Sequence, residues 1–379
     1  QAQRLVASFT AAGAAYVAPA VIQPAALFLD VVGESLRGRT YVFTDPDGRE
    51  LCLRPDLTVP TCRVYLERDP KAETAARFCY NGPVFRYQSV GAPQANAREF
   101  RQAGIEIFGV TDVAAADVDV LSAVVKAVRA AGLRDFEIRT GDVGLLHALL
   151  DAIEMPARWR RRLQNQFWRP DAFRAELKRL TLHPASSAQG IDPELLASLE
   201  LDAPDASAEM VAQYLEKHDA ELMGTRSIED ITTGLLEAAA DLKSGPMSAD
   251  KAQLIQDYVV VKGAPHVAVT QIEALVGAAK IDIGPVVAVF KRRLEAMKAA
   301  GIKVDQITFA AEFGRRFEYY TGFVFDIVSP SLGVQSPVAS GGRYDGLLKA
   351  VGAPRDVAAV GAAIYTERLL SALAGGDRS

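Results

Sequence analysis

Cysteine is nearly absent from this chain of 379 residues: Cys52, Cys62 and Cys79 are its only three, and no two form a CxxC pair. That leaves no disulfide framework and points to reduced thiols in a cytoplasmic protein. Histidine is almost as rare. His147, His183, His218 and His266 stand too far apart for an HExxH or HxH ligand pair, so no metal site is expected, and no cofactor. Nor is there an excess of one charge: the net charge is -5, with 23% charged and 49% hydrophobic residues, close to globular averages. This balance excludes a disordered chain and a globally basic nucleic-acid binder. The chain also lacks GxxxxGK[ST], GxGxxG and GxSxG, and with them the usual nucleotide-binding and hydrolase scaffolds. It has no internal repeat or low-complexity tract.

What is there begins with an uncharged stretch, residues 5–29, long enough to cross a bilayer. Pro19 and Pro24 would break a spanning helix, Gly13 and Gln23 dilute its hydrophobicity, and no basic leader or cleavage pattern makes it a signal peptide. The stretch reads instead as a buried helix to about Ala14, a short strand at 16–18 and an extended segment at 21–24, with no membrane contact. So apolar an opening must be covered by protein, at a subunit interface or at the centre of the fold.

The length predicts two or three domains. Residues 40–53 read as a hairpin around Asp45-Pro46-Asp47-Gly48, and residues 77–87 as a second around Asn81-Gly82-Pro83. After a loop rich in Gly, Ala, Pro, Gln and Asn comes a strand at 102–110, then a helix at 113–131, a strand at 136–139 and a helix at 143–153. Residues 156–264 differ. They are helix-patterned, carry Arg158, Arg160, Arg161 and Arg162 in one run, and are punctuated by Pro184, Pro193, Pro204 and Pro246, as an inserted helical domain would be. Strands return at 306–310 and 319–328, and a helix begins at Glu367. Locally connected strands make a largely antiparallel sheet, so the expected fold is α+β, with its core in residues 1–155 and 265–379.

Three segments carry candidate chemistry. Along Gln102-Ala103-Gly104-Ile105-Glu106-Ile107 the period of two sends Gln102, Gly104 and Glu106 to one face, where the glycine leaves space for a ligand ammonium to reach Glu106. In Tyr319-Tyr320-Thr321-Gly322-Phe323-Val324-Phe325, Tyr320 and Gly322 share a face, and the preceding Arg315 and Arg316 suit a carboxylate or phosphate. Ser340-Gly341-Gly342-Arg343-Tyr344-Asp345-Gly346-Leu347-Leu348 places two glycines before an arginine at an expected helix start, letting backbone approach a ligand. Singly, these are no more than a sheet face, an arginine pair and a turn.

Taken in order, they resemble the catalytic domain of class II histidyl-tRNA synthetases over nearly the whole chain. The carriers are Leu53-Arg54-Pro55-Asp56-Leu57-Thr58, Val84-Phe85-Arg86-Tyr87, Glu99-Phe100-Arg101-Gln102, Glu106-Ile107-Phe108-Gly109, and residues 315–322 and 340–347. The resemblance implies a class II aminoacyl-tRNA synthetase-like antiparallel sheet flanked by helices, with a helical insertion, dimeric through the apolar N-terminal segment. It also implies a histidine pocket at Asp56 (glutamate in the synthetases), Thr58, Gln102, Glu106, Tyr319 and Tyr320. Arg315 would meet the amino-acid carboxylate, and Arg86 matches the phosphate-binding arginine of the second motif.

Departures from that pattern redirect the expected function. The synthetases continue into an anticodon-binding domain, whereas only residues 369–379 follow Arg368 here, so no tRNA partner is expected. In Gly361-Ala362-Ala363-Ile364-Tyr365-Thr366-Glu367-Arg368, Tyr365 replaces the glycine against which adenine and ribose lie, leaving a vestigial ATP site at Tyr365 and Arg368. Asn96 and Ala97 stand where a phosphate-contacting arginine and a pocket tyrosine belong. A kept histidine pocket beside a damaged ATP pocket resembles the ATP phosphoribosyltransferase regulatory subunits, synthetase paralogues that partner the short-form catalytic subunit in the first step of histidine biosynthesis. That resemblance implies no catalysis by this chain, dimers of it within a hetero-oligomer (a hetero-octamer), and histidine as feedback effector. An adenylate-forming enzyme that activates histidine is the alternative; a scaffold with a relic pocket is a third reading.

Overall fold

In the computed structural model the described residues are 1–29, 34–88, 97–182, 191–218, 227–313 and 319–376. They divide into two compact units, Gln1–Ala152 with Asp257–Ser379, and Ile153–Gln256. Lys262 and Gly263 pair in the sheet of the first unit, so residues 257–264 go with the core rather than with the insertion as expected.

The first unit is built on strands β1 (Ala15–Tyr16), β2 (Ile22–Pro24), β3 (Tyr41–Thr44), β4 (Glu50–Leu53), β5 (Ala76–Phe85), β6 (Glu99–Phe108), β7 (Glu137–Asp142), β8 (Lys262–Gly263), β9 (Ile307–Ala310), β10 (Phe323–Val328), β11 (Ala339–Arg343) and β12 (Ala359–Tyr365). Among the described residues, nine strands form one sheet in the order β1-β5-β6-β12-β11-β10-β7-β9-β8. Only the β1/β5 and β7/β9 pairs are parallel. The expected hairpin is β3–β4, where Asp45 Oδ1 accepts the amides of Asp47 and Arg49 at 3.0 and 2.9 Å and Gly48 turns the chain at φ +80°. With β2 it makes a small sheet. Register puts Ile22, Pro24, Tyr41, Phe43, Leu51 and Leu53 on one face of it, where Ile22 is 51% and Phe43 38% exposed.

Other expectations need correction. Residues 77–87 are no hairpin: β5 runs straight through Asn81-Gly82-Pro83 and pairs with β6 from Ala76 opposite Phe108 to Phe85 opposite Glu99. Pro83 is tolerated because β1 borders the outer side of β5 only at Phe78 and Cys79, and because Arg54 Nε donates to the Pro83 carbonyl at 2.9 Å. Gly341 and Gly342 lie inside β11, not at a helix start. A Cβ on Gly341 would sit 2.5 Å from that of Ala362, and one on Gly342 2.8 Å from the Tyr320 ring. β10 begins at Phe323 rather than Tyr319. The opening helix, Ala2–Ala11, is amphipathic and buries Leu5 and Phe9, and among the described residues no helix is long and apolar enough to cross a membrane.

One face of the sheet carries Ala2–Ala11 and the helix Val113–Ala130, whose first turn Asp112 caps by accepting the Ala115 amide at 3.2 Å. The helix Gly284–Ala299 packs on the latter. Here lies a buried ion network: Arg293 meets Asp117 at 2.8 Å and Asp142 at 2.7 Å, and Arg343 meets Asp117 at 2.7 Å. In the Ile153–Gln256 unit two arginines of the run turn inward, whereas Arg161 is exposed. Arg158 and Arg162 meet the buried Asp241 at 2.5 and 2.6 Å, and Trp159 Nε1 donates to the same carboxylate.

Breaking such a network strands its remaining charges. Arg293→Met leaves Asp117 and Asp142 short of a cation and is expected to cost about 3–5 kcal/mol in urea unfolding. An unchanged midpoint would contradict that role.

Candidate functional site

Cross-strand register assembles the site, because directly opposed residues share a face. Gln102, Gly104 and Glu106 of β6 stand opposite Tyr365, Ala363 and Gly361 of β12, and β11 adds Ser340 opposite Ala363. Across this face runs the helix Thr58–Arg68, whose Tyr65 ring stacks 4.8 Å from Phe108. Between them lies a small cavity lined by Asp56, Thr58, Gln102, Tyr319, Tyr320, Ser340, Tyr344 and Tyr365.

Glu106 lies behind this lining and is fully buried. Its Oε1 accepts from the Thr58 hydroxyl at 2.9 Å and the Tyr80 hydroxyl at 2.8 Å, and its Oε2 from the Tyr344 hydroxyl. The space expected above Gly104 is not left for a ligand. Tyr80 fills it: a Cβ on Gly104 would sit 2.5 Å from the Tyr80 hydroxyl oxygen, and one on Gly361 only 1.4 Å from Glu106 Oε2. Burial pushes the Glu106 carboxyl up to about 7, with the three hydroxyls pulling it down. Asp56 ties off the helix start, its Oδ1 accepting the Val59 amide at 3.2 Å, while Oδ2 is buried without a partner among the described residues. Burial raises its pKa and the charge of Arg86 lowers it. Gln102 Oε1 is likewise buried without a described partner.

At the edge of the cavity stands a row of four planar groups. The Tyr365 ring lies 6.0 Å from Phe100, the Arg368 guanidinium stands 4.4 Å over Tyr365, and that of Arg86 stands 5.1 Å over Phe100. Arg86 Nε donates to the Pro55 carbonyl at 2.8 Å.

Asp56, Thr58, Gln102, Tyr319 and Tyr320 thus line one cavity, Glu106 reaches it through Thr58 and Tyr344, and Arg86 stands by Asp56. Arg315, Arg316 and Asn96 lie outside the described residues. Tyr80, Ser340 and Tyr344 were not singled out from the sequence. The last two fell within a quoted motif; Tyr80 becomes visible only once β5 is continuous and sets it opposite Gly104. Among the described residues no group of three or more His, Cys, Asp or Glu stands close enough to hold a metal ion.

The chain matches the histidyl-tRNA synthetase family over residues 1–223 and 235–369. It is 35% identical to the ATP phosphoribosyltransferase regulatory subunit of Brucella anthropi over 354 residues, 92% of this chain and 90% of that protein. It is 34% identical to the one of Brucella abortus, over 94% and 91%. The chain belongs to the ATP phosphoribosyltransferase regulatory subunit family. The fold of this family member is also that of a Bacillus halodurans structure described as an ATP phosphoribosyltransferase regulatory subunit/histidyl-tRNA synthetase, with TM-score 0.66, 22% identity and coverage of 98% and 77%. A histidine–tRNA ligase subunit from Alicyclobacillus acidocaldarius aligns with TM-score 0.60, 25% identity and coverage of 99% and 92%. The class II synthetase-like fold expected from the motifs is therefore the one observed.

The buried Glu106 gives the fold a signature in pH. Its folded pKa of about 7 lies above the ordinary 4.5, so between these values the folded chain holds the extra proton, and the stability due to this carboxyl falls as pH rises. The total is about 3 kcal/mol. Wild type and Glu106→Gln, unfolded in urea across that window, are expected to diverge with this slope; parallel curves would contradict it.

Proposed function

We propose that this chain is a non-catalytic, histidine-sensing subunit that the short-form ATP phosphoribosyltransferase catalytic subunit requires for activity in the cytoplasm. The observation that carries the reading is Tyr365. The resemblance puts adenine where Tyr365 stands, and here its ring is held between Phe100 and Arg368 at the edge of the acceptor-rich cavity. Asp56, Thr58, Gln102, Tyr319 and Tyr320 line the histidine site, Arg86 and Glu106 support it, and Arg315 meets the carboxylate. Occupancy feeds back on the catalytic partner if histidine binds two assembly states unequally, with a coupling on the order of 1–3 kcal/mol. The exposed apolar face of the β2-β4-β3 sheet supports self-association as a dimer within the hetero-oligomer.

Co-purification with the short catalytic subunit, followed by an activity assay with and without histidine, tests this. The mixture is expected to be active and histidine-inhibited, and Gln102→Ala or Arg315→Ala to raise the inhibitory histidine concentration at least about tenfold with activity kept. Full inhibition of both variants would place the sensor elsewhere. Histidine-dependent ATP–pyrophosphate exchange by the purified chain would show that it activates histidine instead.

A further inference from the structure

Arg54 is a buried cation that meets no carboxylate among the described residues. It is 3% exposed, and its guanidinium donates to two main-chain carbonyls, from Nε to Pro83 at 2.9 Å and from Nη1 to Pro19 at 2.5 Å. Burial lowers its pKa, Tyr16 raises it and the charge of Arg101 lowers it; no acid is among these influences. Arg293 and Arg343, buried as deeply, each hold aspartates. A buried charge left unanswered is costly, so the answer to Arg54 has to come from outside the described chain.

Arg54 follows β4 directly, and its amide donates to the Val21 carbonyl at 3.0 Å, so it closes one end of the small β2-β4-β3 sheet. At that end the exposed Ile22 lies opposite Leu53, and the Tyr41 ring meets the exposed Tyr87 edge-on at 5.9 Å. The other end, roughly 20 Å away along the hairpin, is the turn, with Asp45, Asp47 and Glu50 against Arg49. Asp45 is used within the turn, whereas Asp47 and Glu50 are exposed and enter no ion pair among the described residues. One apolar face thus runs from an acidic end to a basic one. A two-fold axis through its middle lays each end on the opposite end of a second copy. We propose that a second copy of this chain docks on this face and that the hairpin turn of each copy, through Asp47 and Glu50, neutralises Arg54 of the other. The contact is isologous: it forms the same ion pairing twice and covers the apolar face between them from water. The inference rests on the self-association proposed above and names the groups that meet; the Arg54 site is incomplete until the second copy supplies its acids.

Sedimentation equilibrium of the full chain at neutral pH tests this with wild type, Arg54→Gln, the hairpin variant Asp47→Asn/Glu50→Gln and the triple variant. Wild type is expected to dimerise, and Arg54→Gln and the hairpin variant each to raise the dissociation constant at least about tenfold. The triple variant is expected to lose no more than the weaker of the two, because all three residues serve one interaction. Raising the salt from about 0.05 M to about 0.5 M is expected to weaken wild type more than the triple variant. The hairpin variant changes exposed side chains only and keeps Asp45 in the turn, so it folds whether or not Arg54→Gln does. A merely structural Arg54 would leave the hairpin variant dimerising like wild type, or make the two losses add. Wild-type dimers with either of those results overturn this inference alone; a wild type that stays monomeric at every concentration overturns it together with self-association.

Discussion

A carboxylate without access to water in the middle of a nine-stranded sheet has to be answered from inside the protein, and the site is shaped by how Glu106 is answered. Three hydroxyls converge on it from three elements: Thr58 from the start of a helix, Tyr80 from the neighbouring strand and Tyr344 from beyond β11. Each arrival imposes a condition. Tyr80 can cross β6 only because position 104 is glycine, and the carboxylate can lie against β12 only because position 361 is glycine. Thr58 is placed by Asp56, which spends one oxygen on the helix start while the other is buried without a partner among the described residues.

The same logic explains the Gly342-Arg343-Tyr344-Asp345 segment. Gly342 seats the ring of Tyr320. Arg343 is anchored to Asp117 and to Asp345, each at 2.7–2.9 Å, and Asp345 in turn accepts the Ala359 amide at 2.8 Å. Tyr344 is clamped between two fixed neighbours, and its hydroxyl is delivered to Glu106. The buried ion network on one face of the sheet thus holds the ligand-facing hydroxyls on the other, a rigid scaffold of the kind that a selective site requires.

Period-two alternation in β6 was enough to place Gln102 and Glu106 on one face, and helical spacing placed Val113–Ala130 almost to the residue. Both are local signals. What could not be read locally was what fills the space above a glycine. Gly104, Gly341, Gly342 and Gly361 look alike in sequence, as openings for a ligand, yet each receives a side chain or backbone atom from a neighbouring segment. The missed strand has a similar origin: Asn81-Gly82-Pro83 carries turn chemistry, but pairing with β6 over ten residues outweighs it. Arg54 adds to this, since it bonds the carbonyls of Pro19 and Pro83 at 2.5 and 2.9 Å and ties β5 to the N-terminal segment.

Against this scaffold the contrast between two features of one cavity carries the functional account: a wall rich in acceptors, and at its edge Tyr365 held between Phe100 and Arg368. A crystal structure of the chain grown with both histidine and ATP tests that contrast most directly. The account predicts histidine density among Asp56, Gln102 and Tyr319 with Tyr365 still held between Phe100 and Arg368. A nucleotide in place of the Tyr365 ring, or histidine bound away from this cavity, would contradict it.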